Sequence, residues 1–224
     1  MTQIQSQPLT KRLQASAVLR ATRVVAVLRA PHARDCSPII AALEAGGVRS
    51  IELTLSTPGV FQELPMLAQR FGDSIEIGVG TVTEIKDAAR AIDAGAQYLV
   101  TPHTDPAIIA AAISRGVPVF PGGLTPTELL AGWQAGGTAV KVFPASLVGP
   151  GYMAQLRGPF PEMAFVPSGG VGIDDAAAWI AAGAVAVSLG GPLIGDAFNG
   201  GDLKALRQRA SKVRALVDEA GEFR

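Results

Sequence analysis

The chain has 224 residues, 48% of them hydrophobic and 17% charged, enough to bury a large core without disulfides or metals. Its 19 Lys and Arg balance 19 Asp and Glu, which excludes a general attraction to nucleic acid or to an anionic membrane surface. Cys36 is the only cysteine, so no intrachain disulfide can form, and the first twenty residues contain no apolar export segment; both features point to a cytoplasmic protein.

Residues 9–21 are expected to form an extra helix ahead of the first strand. From residue 24 onward, short apolar runs alternate with amphipathic helical stretches. The runs cover 24–29, 50–55, 75–80, 97–101, 117–120, 139–143, 164–168 and 184–189, and each is apolar on both faces, as buried parallel strands are. Helix ends are signalled by Ala45-Gly46, Ala94-Gly95, Arg115-Gly116, Ala135-Gly136 and Ala182-Gly183, where glycine can adopt the left-handed conformation. Helix starts are signalled at Thr57-Pro58, at Thr83, at Asp105-Pro106 and at Thr125-Pro126-Thr127-Glu128. Strands separated regularly by helices require parallel pairing, and eight such units close naturally into a (β/α)8 (TIM) barrel. An open doubly wound sheet is the alternative, but no GxGxxG follows the first strand. No linker or change of composition divides the chain, so residues 1–224 are expected to form a single barrel domain.

A barrel carries its chemistry at the C-terminal ends of its strands. Three ionisable residues interrupt otherwise apolar strands. Lys141 lies within AVKVF, sharing a face with Ala139 and Phe143, while Lys11, Lys86, Lys204 and Lys212 fall on solvated helical stretches. A buried amine that is neutral beside a carbonyl is a nucleophile that forms an imine. The plainer alternative is a structural ion pair. Glu52 shares a face with Thr54 and Ser56, opposite Ile51, Leu53 and Leu55, so the polar parity should point inward. A carboxylate held there can exchange protons, or can merely neutralise Lys141 or Arg29. Arg29 ends the first strand, where its fork suits a carboxylate or phosphate; the alternative is a surface arginine in the first loop.

Pro167-Ser168-Gly169-Gly170 follows the seventh strand and Ser188-Leu189-Gly190-Gly191 the eighth, the usual location of a phosphate site in barrels. Gly78-Val79-Gly80-Thr81 adds a hydroxyl near the mouth. Thr81 and Ser168 can also be read as helix caps, and Cys36 as a small buried hydrophobe rather than a nucleophile. His32 and His103 lie in different units and cannot make a typical metal site, so neither a metal nor a dinucleotide cofactor is expected.

The strings IELTLSTPG, GVGTVTE, VTPHTDP, LTPTELL, KVFPAS, VGPGYMAQLRGPFP and FVPSGGV resemble the 2-keto-3-deoxy-6-phosphogluconate (KDPG) and 4-hydroxy-2-oxoglutarate aldolases, class I lyases with a barrel fold. The resemblance implies a Schiff base on Lys141 and a general acid/base at Glu52. It implies substrate contacts from Thr81 and Pro102, with Phe143 and Ser168 beside them, and a phosphate held by Gly169, Gly170, Gly190 and Gly191. Where some members place a carboxylate-binding arginine four residues after the glutamate, this chain has Ser56; others carry arginine at the end of strand one, as here at Arg29. The substrate implied is a phosphorylated keto sugar acid split to pyruvate and glyceraldehyde 3-phosphate, and the assembly implied is a homotrimer. The hydroxyl of Ser168 favours the gluconate over the galactonate epimer; an aldolase of the same family acting on that epimer or on 4-hydroxy-2-oxoglutarate is the nearest alternative. A phosphosugar isomerase or epimerase barrel, which needs no imine, and a barrel that only binds a phosphorylated effector are the readings from other classes.

Overall fold

The structure is a computed structural model that describes residues 12–221. The first part of the chain runs α1 (Ala17–Thr22), β1 (Val24–Leu28), α2 (Cys36–Ala45), β2 (Ser50–Thr54), α3 (Val60–Phe71), β3 (Glu76–Gly80) and α4 (Ile85–Asp93). It continues through β4 (Leu99–Val100), α5 (Pro106–Ser114), β5 (Val119–Phe120), β6 (Gly122–Gly123), α6 (Pro126–Gln134) and β7 (Val140–Val142). The last part holds α7 (Pro150–Arg157), β8 (Phe165–Pro167), α8 (Ala176–Ala181), β9 (Val187–Leu189), α9 (Gly191–Ile194) and α10 (Leu203–Glu219).

The result is an α/β fold with curled parallel sheets. One sheet has the order β5-β4-β3-β2-β1-β9, the other β6-β7-β8. The division between β5 and β6 falls at Pro121, which has no N–H to give to a ladder. Its carbonyl still accepts from Lys141 N at 2.8 Å, just as Val119 O accepts from Thr138 N at 2.8 Å. At the other junction Val185 N donates to Phe165 O at 3.0 Å, and Ser168 and Ser188 form a parallel bridge.

Each expected strand is present, shortened at its ends by one to a few residues; β6 is additional, a continuation of the fifth run past its proline. Strand parity sorts the side chains as the sequence indicates. Ile51 and Leu53 pack outward into the layer between strands and helices, with Leu28, Ile40, Leu43 and Val142. Val25, Tyr98, Val100, Phe120, Ala139, Val166 and Ala186 form a separate inner cluster, closed from the N-terminal side by Leu19 of α1. The expected helix over 9–21 is observed only as α1, because 12–16 take no helical form and 9–11 lie outside the described residues.

Helix boundaries follow the local chemistry at some positions and tertiary contacts at others. Thr125 and Glu128 make a reciprocal capping box, and Asp105 caps α5 by accepting from Ala107 N at 2.8 Å. Thr57 and Thr83 are not caps: α3 starts after Gly59 and α4 after Glu84. Thr57 Oγ1 instead accepts from Ala30 N at 3.0 Å, tying the ends of β1 and β2. Gly95, Gly116, Gly136 and Gly183 adopt positive φ, but at the end of α2 it is Gly47 that does so rather than Gly46. Gly46 serves packing: a Cβ there would stand 2.5 Å from Ala210 Cβ and 2.8 Å from Arg207 O on α10. Gly46→Ala should therefore cost about 1–3 kcal/mol by overpacking, read as a lower urea midpoint.

Candidate active site

At the C-terminal ends of the strands lies a cavity of about 640 Å³, within the roughly 300–1,000 Å³ usual for small-molecule sites. Arg29, Glu52, Thr81, Pro102, Lys141, Phe143, Ser168, Gly169, Gly170, Gly190 and Gly191 all line it. The fold thus brings every sequence-selected site residue to one place, from seven different strand ends.

Lys141 occupies the inward face of β7, with Val140 and Val142 fully buried on the other side. It is only 7% exposed, and its Nζ sits 4.9 Å from the centre of the Phe143 ring, whose π face favours a cation. Among the described residues, the ion pairs all lie elsewhere, at exposed positions such as Lys86–Glu84 and Lys212–Asp174. Among the described residues, Lys141 is thus in no contact ion pair.

Glu52 is buried on the inward face of β2. Its carboxylate fits because the neighbouring strand offers Gly80; a Cβ at that position would overlap Glu52 Oε1. Burial pushes the Glu52 pKa up, against the opposing attraction of Lys141 and Arg29. A carboxyl so placed can exist protonated nearer neutrality, as a proton-transfer group requires. Below the pair, an apolar floor of Leu19, Val25, Val100, Phe120 and Val166, with Tyr98 and Ser188 beside it, encloses a void of only about 10 Å³. That is at the lower limit for one water, so the reactive face of the pair is the open cavity.

Thr54 also lines the cavity. Its Oγ1 donates to Leu28 O at 3.1 Å and lies 3.0 Å from Ser56 Oγ, so the Ser56 hydroxyl is engaged by its own strand. Arg29, just beyond β1, is exposed on the rim with its guanidinium available to an anion. Thr81 does not cap a helix; it has φ 59°, a left-handed backbone unusual for a β-branched residue. Such a conformation costs on the order of 1–3 kcal/mol. Pro102 approaches the fifth unit closely, since a Cβ on Gly122 would lie 2.6 Å from the Pro102 carbonyl carbon.

The two glycine pairs differ. Gly169 and Gly170 have φ of 84° and 79° and are tightly packed; a Cβ would stand 2.9 Å from the Phe143 ring and 2.6 Å from Ser146 Cβ. A Cβ on Gly191 would meet nothing within 4 Å beyond its chain neighbours and its own helix backbone, and one on Gly190 would come no nearer than 3.8 Å, to Val27 Cβ. One pair shapes the turn, and the other leaves room for a ligand.

Sequence reasoning passed over several residues in and beneath the cavity. Ser188 is buried on the inward face of β9, and its parity with Gly190 marks it once the inward face is known. Phe198 and Asn199, beyond α9, reach the rim, and no periodicity in that connection identifies them. Cys36 lies outside the cavity, buried, with its pKa pushed up to about 12 chiefly by burial, so it remains an unreactive thiol.

The raised pKa of Glu52 fixes a sign for stability against pH. The folded state binds this proton more tightly than the unfolded chain, so stability falls as pH rises from the ordinary carboxyl range through the folded value. Glu52→Gln should accordingly be more stable than the parent near neutral pH, with the difference shrinking toward pH 4; urea titrations of both proteins across that interval measure it.

The family model for KDPG and KHG aldolases matches residues 15–208. The 2-dehydro-3-deoxy-phosphogluconate aldolase of Treponema pallidum is 34% identical over 164 residues, 73% of this chain and 78% of that one. A probable 2-dehydro-3-deoxy-6-phosphogalactonate aldolase of Rhizobium meliloti is 32% identical over 196 residues, covering 87% and 91%. Among solved structures, native KDPGal aligns with TM-score 0.82 at 30% identity, covering 88% of this chain and 95% of the other. KDPG aldolase from Legionella pneumophila, with pyruvate captured as a covalent carbinolamine, aligns with TM-score 0.81 at 27% identity, covering 88% and 96%. The chain belongs to the KDPG and KHG aldolase family.

Proposed function

We propose that the protein is a class I aldolase that cleaves 2-keto-3-deoxy-6-phosphogluconate to pyruvate and glyceraldehyde 3-phosphate through an imine on Lys141. The observation that carries this reading is a buried lysine without a carboxylate contact, sharing one cavity with a buried glutamate of raised pKa. Lys141 Nζ adds to the C2 carbonyl, and loss of water leaves an iminium. Glu52 takes the proton of the C4 hydroxyl, the C3–C4 bond breaks, and its electron pair moves into the iminium to give an enamine. Glu52 then returns a proton to C3, and water releases pyruvate and free Lys141. An isomerase or a binding-only barrel has no use for a nucleophilic amine at this position.

Arg29 supplies a cation for one of the substrate's anionic ends, and Thr81, Pro102, Phe143 and Ser168 shape the middle of the cavity. The amides around Gly169, Gly170, Gly190 and Gly191 receive the phosphate, and this remote binding orients the bond to be broken. The gluconate epimer is preferred over the galactonate one because Ser168 offers a hydroxyl where an apolar side chain would not.

We also read residues 1–224 as one domain, a closed (β/α)8 barrel in which β5 and β6 are halves of one strand and α1 belongs to a helical cover over the N-terminal end. The hydrogen bonds at both sheet junctions support closure. The enzyme is read as cytoplasmic, where a lone thiol stays reduced, and as a homotrimer, as the family resemblance implies.

Borohydride treatment in the presence of pyruvate should add one reduced pyruvyl group at Lys141, and Lys141→Ala should abolish both labelling and cleavage. Labelling of another lysine, or turnover by the variant, would sink the mechanism. For the phosphate site, Gly191→Ala adds a methyl group that meets nothing within 4 Å beyond its chain neighbours and its own helix backbone. It should leave the urea midpoint unchanged yet raise KM for the phosphorylated substrate more than for its dephospho analogue. Equal effects on the two substrates would mean that the turn is structural only.

A further inference from the structure

We propose that Arg209 of α10 is a positioning residue that clamps the connection between α9 and α10, so that Gly191, Phe198 and Asn199 form a fixed wall at the phosphate end of the cavity. The clamp thereby sets selectivity for phosphorylated over unphosphorylated keto acids, and this rests on the aldolase reading. Gly191, Pro192, Ile194, Gly195, Phe198 and Asn199 line the cavity, whereas Arg209 stands behind them. Its Nε donates to Leu193 O at 2.7 Å and its Nη2 to Ile194 O at 2.9 Å, both within the range of charge-assisted hydrogen bonds. Among the described residues Arg209 meets no carboxylate at ion-pair distance, so its guanidinium serves these two carbonyls.

Local structure alone does not hold this connection. α9 has 4 residues, where an isolated helix is marginal even at about 12–15 residues. Gly190 O accepts from Leu193 N and Ile194 N, both at 3.0 Å, and Gly191 O accepts from Gly195 N at 2.8 Å. The carbonyls at the C-terminal end, of Leu193 and Ile194, take the guanidinium instead. Gly195 then turns the chain with φ 58° and ψ −131°, a backbone that favours glycine. A Cβ there would stand 2.9 Å from Arg209 Nη2, so the missing side chain also lets the guanidinium approach. Beyond it, Asn199 N at 2.7 Å and Gly201 N at 3.0 Å both donate to Asp196 O and close the turn that carries Phe198 and Asn199. Asp202 follows and caps α10 by accepting from Lys204 N at 2.8 Å. α10 thus holds both ends of the connection, one through the chain and the other through Arg209.

The wall so held offers the phosphate the backbone of Gly191 and the carboxamide donor of Asn199, with Phe198 packed partly against the core. Lys141 lies on β7, separated from β9 by β8, so the imine site stands apart from the clamp. Without Arg209 the wall is correctly placed in only a fraction of the molecules, and the apparent affinity of a ligand that needs it falls by that fraction. The net contribution of one hydrogen bond corresponds to about two- to tenfold in such an equilibrium.

The test measures KM and kcat of wild type, Arg209→Ala and Arg209→Lys on 2-keto-3-deoxy-6-phosphogluconate and on its dephospho analogue, with borohydride trapping of pyruvate and urea midpoints alongside. Pyruvate has no phosphate, so trapping should be equal in all three proteins and reports an intact fold and imine site. Arg209→Ala should raise KM for the phosphorylated substrate by about two- to tenfold, with kcat changed less and KM for the analogue unchanged. Arg209→Lys, which keeps the charge but lacks the fork, should fall between the two. An unchanged KM for the phosphorylated substrate, or a lysine variant no better than the alanine one, overturns the proposal. So does an equal rise for both substrates with a lower urea midpoint, the signature of a purely structural role. Should Arg209→Ala lose trapping through unfolding, Arg209→Lys must itself show the selective rise, and the proposal fails if it does not. Trapping of pyruvate by a wild type that cleaves neither substrate would instead refute the aldolase reading.

Discussion

The site depends on keeping two ionisable side chains, Lys141 and Glu52, out of water and near each other without letting them meet in an ion pair. In the proposed mechanism, a contact pair would fix both charges and remove the amine as a nucleophile and the carboxyl as a proton carrier. Burial of Glu52 works against its charged form, while Lys141 and Arg29 work in its favour, and burial is the larger effect. The balance leaves a carboxyl whose pKa is raised. Each supporting feature can be traced to this requirement. Inward parity places both groups inside, the absent side chain of Gly80 makes space for the carboxylate, and the Phe143 ring lies 4.9 Å from Lys141 Nζ.

The two ends of the strand interior have opposite characters. Toward the N-terminal side, Leu19 and the inner cluster close the interior with apolar contacts, leaving a void of about 10 Å³. A polar group at that end, Glu76, is buried with one carboxyl oxygen unpartnered and its pKa raised mainly by burial. Toward the C-terminal side, the loops are short, rich in glycine and open. The proposed anion capture there does not need a basic protein. Neutral amides at glycine turns, with Arg29 on the rim, can select a phosphorylated acid while the chain as a whole remains uncharged. The strained backbone at Thr81 belongs to the same end, where the fold stores distortion at the site and rigid β-structure holds it in place.

Much of this could be read from the sequence because strand parity is a local property. The alternation in SIELTL separates Glu52 and Thr54 from Ile51 and Leu53, and AVKVF isolates Lys141, whatever the tertiary arrangement. Apolar runs alternating with helical stretches require parallel strands, and capping chemistry at Thr125 and Asp105 acts within a single turn. What the sequence leaves open depends on partners distant along the chain. Thr57 resembles a helix cap but bonds to Ala30, and Gly46 resembles a C-terminal turn glycine but makes room for α10. Pro121 ends the fifth run and separates β5 from β6 beyond it, because the ladder, not the apolar pattern, needs its missing N–H. The sequence by itself thus determined which residues face inward and which groups are chemically out of place in a strand. Only the tertiary structure decided which of them share a cavity, how much room each has, and whether the buried charges pair, because those depend on contacts between strands whose separation in sequence carries no local signal.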